Sequence, residues 1–452
     1  MRGDPLTVLS AFSADFIDAL AGPEWLMNRR KQAFELFEAA GIPVESEEIW
    51  RYSGVGSVDF GGYVPASPPV SGSGAASLPA MPEIEEVLEG RLAGVLRAIG
   101  PRSALIVTLN GQVGAVDFPE GSLGARRRDV SVMLLSDPSR DRAAGADAVL
   151  GPVLDVDDAF VHLNEAFLLD AVLLDASAGP VDDAPVVIVN WVDGEALASF
   201  PRTVVRVADG ARARVVEIMA SPDRVSALTC PVVQMELGVQ SSLEYVVLDL
   251  LGSGTTQFGY QTSVLQKDAK LTSFSASMGG ARARMRTDST LAGEGSSSQL
   301  LAAYFGTGDQ VHDLRTVQEH RAPHTTSDLF FVGSVAERAH SVYSGMIRVH
   351  RGASGAKAFQ TNRNLVLSEN ARADSVPNLD IQENDVQCSH ASAIGPVDEN
   401  QRYYLESRGA PPQDAERLIV LGFFEDMIER APLVGVRKVV SDAVAEKLGS
   451  LG

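Results

Sequence analysis

A mainly β protein built on a parallel β-helix, with α-helical regions at both ends, is the fold class this sequence predicts. From about Val186, short β-branched runs recur between turn residues, as in Val186–Val189, Val204–Val207, Val215–Ile218 and Tyr245–Leu248, and helical periodicity is missing until about residue 398. Within that region, small-residue blocks begin at Ala336, Ala353, Ala371 and Cys388 (AERAHS, ASGAKA, ARADSV, CSHASA), at steps of 17, 18 and 17 residues. Each block follows a turn-forming stretch. Apolar segments such as Met346-Ile347-Arg348-Val349 and Leu365-Val366-Leu367 lie between successive starts. Units of near-constant length, with strands and no helix, suit coils that bury a core only by stacking on their neighbours. Asn362, Asn364 and Asn370 suit the corners, because Asn tolerates left-handed backbone. A β-sandwich also spaces its strands closely and stands as the competing architecture on the repeats alone.

The chain divides into five regions. Residues 1–60 read as helical: Pro23-Glu24-Trp25 opens a segment whose apolar positions Leu26, Ala33, Leu36, Phe37 and Ala40 keep a 3.6 period until Gly41 and Pro43. Residues 61–82 are rich in Gly, Ser, Pro and Ala and predict a flexible linker. Residues 83–185 read as mixed α/β, with a helix over Glu83–Ile99, a strand over Ala104–Leu109, a short helix over Phe160–Leu169 and a strand near Val172–Leu174. The β-helix is assigned to 186–397. Residues 398–452 return to helix: Asp398 caps a segment ending at Arg408-Gly409, Pro411-Pro412 starts Gln413–Arg430, and Val436–Leu448 follows. The middle of Gln413–Arg430 is apolar nearly all round, which suits either a helix buried in its own domain or a docking element.

Composition limits function. The 452 residues are 45% hydrophobic and 21% charged, with mean hydropathy near zero. No run approaches the ~18 apolar residues of a spanning helix, and Met1–Phe16 has no signal-peptide core, so a cytoplasmic protein is expected. A formal charge of −21 argues against nucleic acid as a partner. Two cysteines, Cys230 and Cys388, lie 158 positions apart in no metal-finger spacing, and cannot supply the four thiolates of an ordinary cluster. The sequence has no GxxxxGK[ST], no GxSxG elbow and no HExxH, which excludes a P-loop ATPase and two hydrolase classes. Six of seven histidines fall between His312 and His390; His320 and His324 are spaced for a helix face, but Pro323 breaks a helix there, and these residues read as surface or corner positions.

Asp385-Val386-Gln387-Cys388-Ser389-His390 is the most chemically suggestive stretch. Cys and His two apart leave the same face of a strand, and thiolate with imidazole suits zinc, iron or an iron–sulfur intermediate. A small buried cysteine beside a surface histidine is the plainer alternative.

Several segments together resemble the SufB/SufD family of iron–sulfur cluster assembly: Ser344-Gly345-Met346-Ile347 through Asn362-Arg363-Asn364-Leu365, Ala373-Asp374-Ser375-Val376-Pro377-Asn378-Leu379-Asp380-Ile381, Cys388-Ser389-His390, and Tyr403-Tyr404-Leu405-Glu406-Ser407-Arg408-Gly409. Glu48-Ile49-Trp50-Arg51-Tyr52 and Pro201-Arg202 match further family patterns, and the Cys-Ser-His element is similar to the SufD branch. Ala391 stands where the family usually has Gly. The resemblance implies a right-handed parallel β-helix and a non-catalytic subunit. Its partners would be a SufB paralogue and SufC, an ABC-type ATPase that binds the ATP. A transient iron–sulfur cluster shared with SufB would be held through His390 and Cys388. Leu418, Leu421, Phe424, Met427 and Ile428 on the apolar C-terminal helix would then meet the ATPase. Homodimerisation of the chain alone stays open, since an uncovered β-helix edge can pair. Two other classes remain: a SufB-type scaffold, which would want more ligand cysteines, and a carbohydrate-active β-helix enzyme, which would want clustered Asp, Arg or Lys on one face.

Overall fold

A computed structural model describes residues 11–67, 90–117, 130–135, 150–177 and 184–451, apart from 21, 91 and 155. Its strands form two sheets, of twelve and of ten strands among the described residues. Successive strands alternate between them: Val311–His320 lies in the first, Thr326–Val335 in the second, His340–Val349 back in the first. Apart from one antiparallel pair at the N-terminal end of each sheet, pairing is parallel and in register, so that Gln299 sits beside Asp328, 29 residues on, and Ser334 beside Leu365, 31 residues on. This is a parallel β-helix, and its full coil is two strands long. Successive strands starting at Thr326, His340, Ala356, Arg372 and Val386 make the half-coil 14–16 residues long, so the 17–18-residue step of the small-residue blocks runs ahead of it. Ala336, Ala353 and Ala371 sit at successive corners as expected, whereas Cys388 lies inside a strand.

One corner shows how the coils stack. Gly210, Gln240, Asp268, Gly295, His324 and Gly355 all have left-handed backbone. Each donates its N–H to a carbonyl of the next coil, from Gly210 to Val239 through to Gly355 to Asp385. The repeat needs positive φ at that place once per coil, and non-glycine residues accept a modest cost to provide it. His324 is thus a corner residue. The asparagines are a correction: Asn362 and Asn364 lie within the strand Ala356–Val366 and are buried in the lumen. There the Asn364 amide donates to Asn362 Oδ1 at 2.8 Å, and the Asn362 amide to Tyr304 Oη at 2.8 Å. Tyr304 in turn donates to Asn364 Oδ1 at 2.7 Å. Three polar side chains satisfy one another where water is excluded.

Tyr245, Leu271, Leu300, Leu329 and Ile347 also face into the lumen, beside further buried polar side chains such as Glu217, Gln318 and Gln360. His312 and His320, expected at the surface or at corners, are buried in it. His320 bonds Thr325 and Ser327 hydroxyls at 2.8 Å each, and His312 Nδ1 bonds Ser277 at 2.8 Å. Burial pulls their pKa values down to about 4 and about 3, so both imidazoles are neutral.

Helices cover the outer face of each sheet. Outside the ten-stranded sheet, Ala93–Ile99, Pro412–Arg430 and Val434–Ser450 pack on Val332, Phe305 and Leu248. Outside the twelve-stranded sheet lie Ala14–Ala19, Glu24–Ala40 and Ala159–Ala166. The Trp50 segment straps this second layer down. Trp50 is buried with the Arg284 guanidinium 3.6 Å from its ring centroid, and Arg315 and Arg282 donate to the carbonyls of Arg51 and Ser53. Of the predicted linker, Val64–Pro65 pairs with Leu197 and Ala198. Residues 68–82 and the start of the predicted helix from Glu83 lie outside the described residues.

Candidate functional site

Both sheets end at the same end of the β-helix. Arg372–Ile381 is the last strand of one, Val386–Gly395 the last of the other, and no described strand pairs with their outer edges. Register decides which side chains face inward. Ala358 and Gln360 are buried in the lumen and pair with Cys388 and His390. In-register parallel strands keep paired side chains on one face, so Cys388 and His390 both belong to the lumenal face of the terminal coil. The structure thus brings the two predicted ligands together, on a coil with nothing stacked upon it. Opposite them, Leu379 and Ile381 carry the inward register of Ile347 and Val349, yet are 36% and 42% exposed.

The two ligand candidates differ in environment. Cys388 is half-buried against Ala358 and Ile347, and burial pushes its thiol pKa up, against the lowering influence of a backbone hydrogen bond at Ala358. It is a thiol at neutral pH and becomes a strong ligand only on losing its proton to a metal or base. His390 is exposed. Among the described residues no three His, Cys, Asp or Glu side chains cluster as a metal site. Two donors leave half of a tetrahedral iron sphere to be filled from elsewhere. Cys230 is fully buried near Asp158, and burial raises its thiol pKa well above the usual value, so it belongs to the core.

The predicted docking residues separate. Phe424 and Met427 are wholly buried, Phe424 stacking on Phe305 with ring centroids 6.0 Å apart. They hold the helix Pro412–Arg430 to the β-helix and offer no surface in this conformation, which corrects their assignment to a free docking face. Leu421 and Ile428 are half-buried, and Leu418 is 54% exposed. With Tyr404, Leu405, Phe423 and Pro396, Leu418 lines a groove of about 910 Å³. Its neighbour Tyr403 is 74% exposed. This groove adjoins the terminal coil, because the strand Val386–Gly395 runs through Pro396, Val397 and Asp398 directly into the helix Glu399–Ser407.

The profile for the SufBD core domain of SUF-system iron–sulfur cluster assembly matches residues 190–423, which span the β-helix and reach into the groove helix. The chain belongs to the SufBD family. An iron–sulfur cluster assembly SufBD family protein of Mycobacterium leprae is 36% identical over 194 residues, 41% of this chain and 50% of that protein. The SufD protein of Escherichia coli is 27% identical over 312 residues, 68% of this chain and 72% of its own length. The SufD protein of Bacillus subtilis is 32% identical over 212 residues, 47% and 48% respectively. The chain spans about half the length of the first of these SufBD relatives. Among the described residues no helix is long and apolar enough to cross a membrane.

The sequence reading missed Gln360, the lumenal neighbour of His390. The coil period could have found it, since it lies one coil, 30 residues, before His390; the 17–18-residue step does not carry that period.

Proposed function

We propose that this chain is a SufD-type subunit that assembles iron–sulfur clusters together with a SufB-type paralogue and a SufC-type ABC ATPase. The observation that carries the reading is the placing of Cys388 and His390 on the lumenal face of an unpaired terminal strand. Two donors at an open end suit a site completed by another chain, and a nascent cluster that must later leave is better served by few ligands than by a closed cage. The paralogue would pair with the edge strands and cover Leu379 and Ile381, supplying the missing thiolates. Here the cluster is cargo, and ATP is hydrolysed by the partner.

The groove beside Leu418 and Tyr404 is the surface that would receive the ATPase. Because the strand bearing His390 continues into the helix Glu399–Ser407, force on the groove reaches the terminal coil through three residues. Nucleotide-driven movement of the ATPase would shift the two edges against each other and expose the site between them.

Co-expression with SufB-type and SufC-type partners, followed by an iron assay and a visible-absorbance scan, tests the reading. His390→Ala should leave the three-chain complex intact and reduce cluster formation at least tenfold; wild-type cluster formation by that variant would sink the ligand role. Leu418→Asp should release the ATPase and keep the paralogue.

A further inference from the structure

We infer that Gln360 is a positioning residue for His390, holding the proton on the imidazole nitrogen that faces the lumen so that the other nitrogen is free toward the open end. Gln360 is 2% exposed, and neither atom of its amide has a hydrogen-bond partner. An orphaned amide inside a native core needs a reason, because each unmade hydrogen bond there costs free energy. The lumen has been shaped around this one. Its amide leans across to Gly345 on the opposite sheet, where a Cβ would lie 2.6 Å from Gln360 Nε2 and nearer still to the Tyr343 hydroxyl. Any side chain at 345 would displace the amide.

His390 is the polar ring stacked one coil above. The two residues are register partners on adjacent parallel strands, about 4.8 Å apart along the stacking direction, and the His390 ring makes no hydrogen bond among the described residues. Other inward positions around it are Ser392, Cys388, Pro377 and Leu379, of which only Cys388 titrates. Once a partner caps the terminal coil and excludes water, turning the imidazole onto the Gln360 amide oxygen satisfies the orphan and fixes the tautomer. A histidine ligand commonly has its second ring nitrogen fixed by an acceptor in this way. The inference rests on the proposed function in taking His390 as the group that matters and in having a partner cap the terminal coil, so its test reads the ring in the assembled complex.

Seven histidines make selective ¹³C/¹⁵N-histidine labelling of the full chain tractable within a complex with an unlabelled SufB-type partner, with His390→Ala identifying the signal. In that complex Gln360→Leu should fold as wild type and relax the neutral tautomer ratio of His390 toward that of imidazole in water. Gln360→Met, the closer isostere, serves if the leucine variant unfolds. Gln318 is buried with an equally unpartnered amide but lies two strands below Leu379, so Gln318→Leu should leave His390 unchanged. Unaltered His390 signals in the Gln360 variants, or an equal change with Gln318→Leu, would overturn the inference. If the His390 signals change as expected while the three-chain complex keeps its iron and absorbance, the positioning stands and the proposed ligand role of His390 fails.

Discussion

Lys447, near the end of the last helix, donates through Nζ to Gln310 Oε1 at 2.7 Å and to Thr307 Oγ1 at 3.3 Å, tying the terminus to a corner of the β-helix 137 residues earlier. Its ammonium is buried enough for the pKa to fall to about 8, with Asp249, Glu446 and Glu337 pulling it back up. Lys447→Ala removes both hydrogen bonds and the packed stem, at a cost of about 1–3 kcal/mol. Hydrogen exchange should quicken across Val434–Ser450 and stay slow in the inner strands. Uniform quickening would mean that the helix is not a separable unit.

Asp249 and His312 should give stability opposite dependences on pH. Burial raises the Asp249 pKa from 3.8 to about 7. Between those values the folded state binds more protons than the unfolded, so this group's contribution falls as pH rises, and the penalty is complete above about 7. Asp249→Asn should therefore stabilise the protein at pH 8, by on the order of 2–4 kcal/mol. For His312 the pKa falls from 6.5 to about 3. There the unfolded state binds more protons, so stability is lost as pH drops below 6.5. His312→Asn, which can keep a donor to Ser277, should make the acid limb shallower. Urea titrations at pH 4, 5.5 and 8 separate the two.

Gly333 faces the lumen beneath Tyr304, and a Cβ there would sit within 2 Å of the Tyr304 ring. Gly333→Ala should cost about 1–3 kcal/mol by overpacking. Tyr304→Leu in the same chain should recover part of the loss, giving a non-zero coupling in a double-mutant cycle. Strict additivity would show that the contact relaxes freely.

Leu379→Asp and Ile381→Asp change exposed residues of the terminal coil, so thermal stability should move by less than about 1 kcal/mol. Binding to a SufB-type partner should weaken at least tenfold, because a carboxylate would be buried at the interface. Size-exclusion chromatography of the mixed chains reads the loss. Undiminished association would place the interface elsewhere.

Much of the fold was readable from local chemistry. Gly41 and Gly409 end helices where the sequence predicted, and Asp398 caps the helix Glu399–Ser407 through its carboxylate on Asn400 and Gln401 N–H groups. Strand Ala104–Leu109 has the predicted bounds. The short spacing of Cys388 and His390 sufficed to put them on one face of a strand, since side-chain alternation depends only on the backbone. Legibility failed where inward and outward must be told apart. The tolerance of Asn for left-handed backbone points Asn362 and Asn364 to corners, and His312 and His320 read as surface or corner residues, yet all four lie in the lumen. In the lumen their hydrogen-bond partners lie from 2 to 60 residues away along the chain, and those partners make burial affordable.

The sequence by itself determined the two structural textures, the small-residue step, the absence of a nucleotide loop and the pairing of a thiol with an imidazole two residues apart. The tertiary structure alone decided that the coil is two strands long and out of step with the small-residue blocks, that Phe424 and Met427 are core, and that Cys388 and His390 face the lumen at an unpaired end. The reason is physical. Turn chemistry, capping and strand alternation act over a few residues, while exposure in a β-helix depends on whether another coil stacks above, and for Val386–Gly395 none does among the described residues.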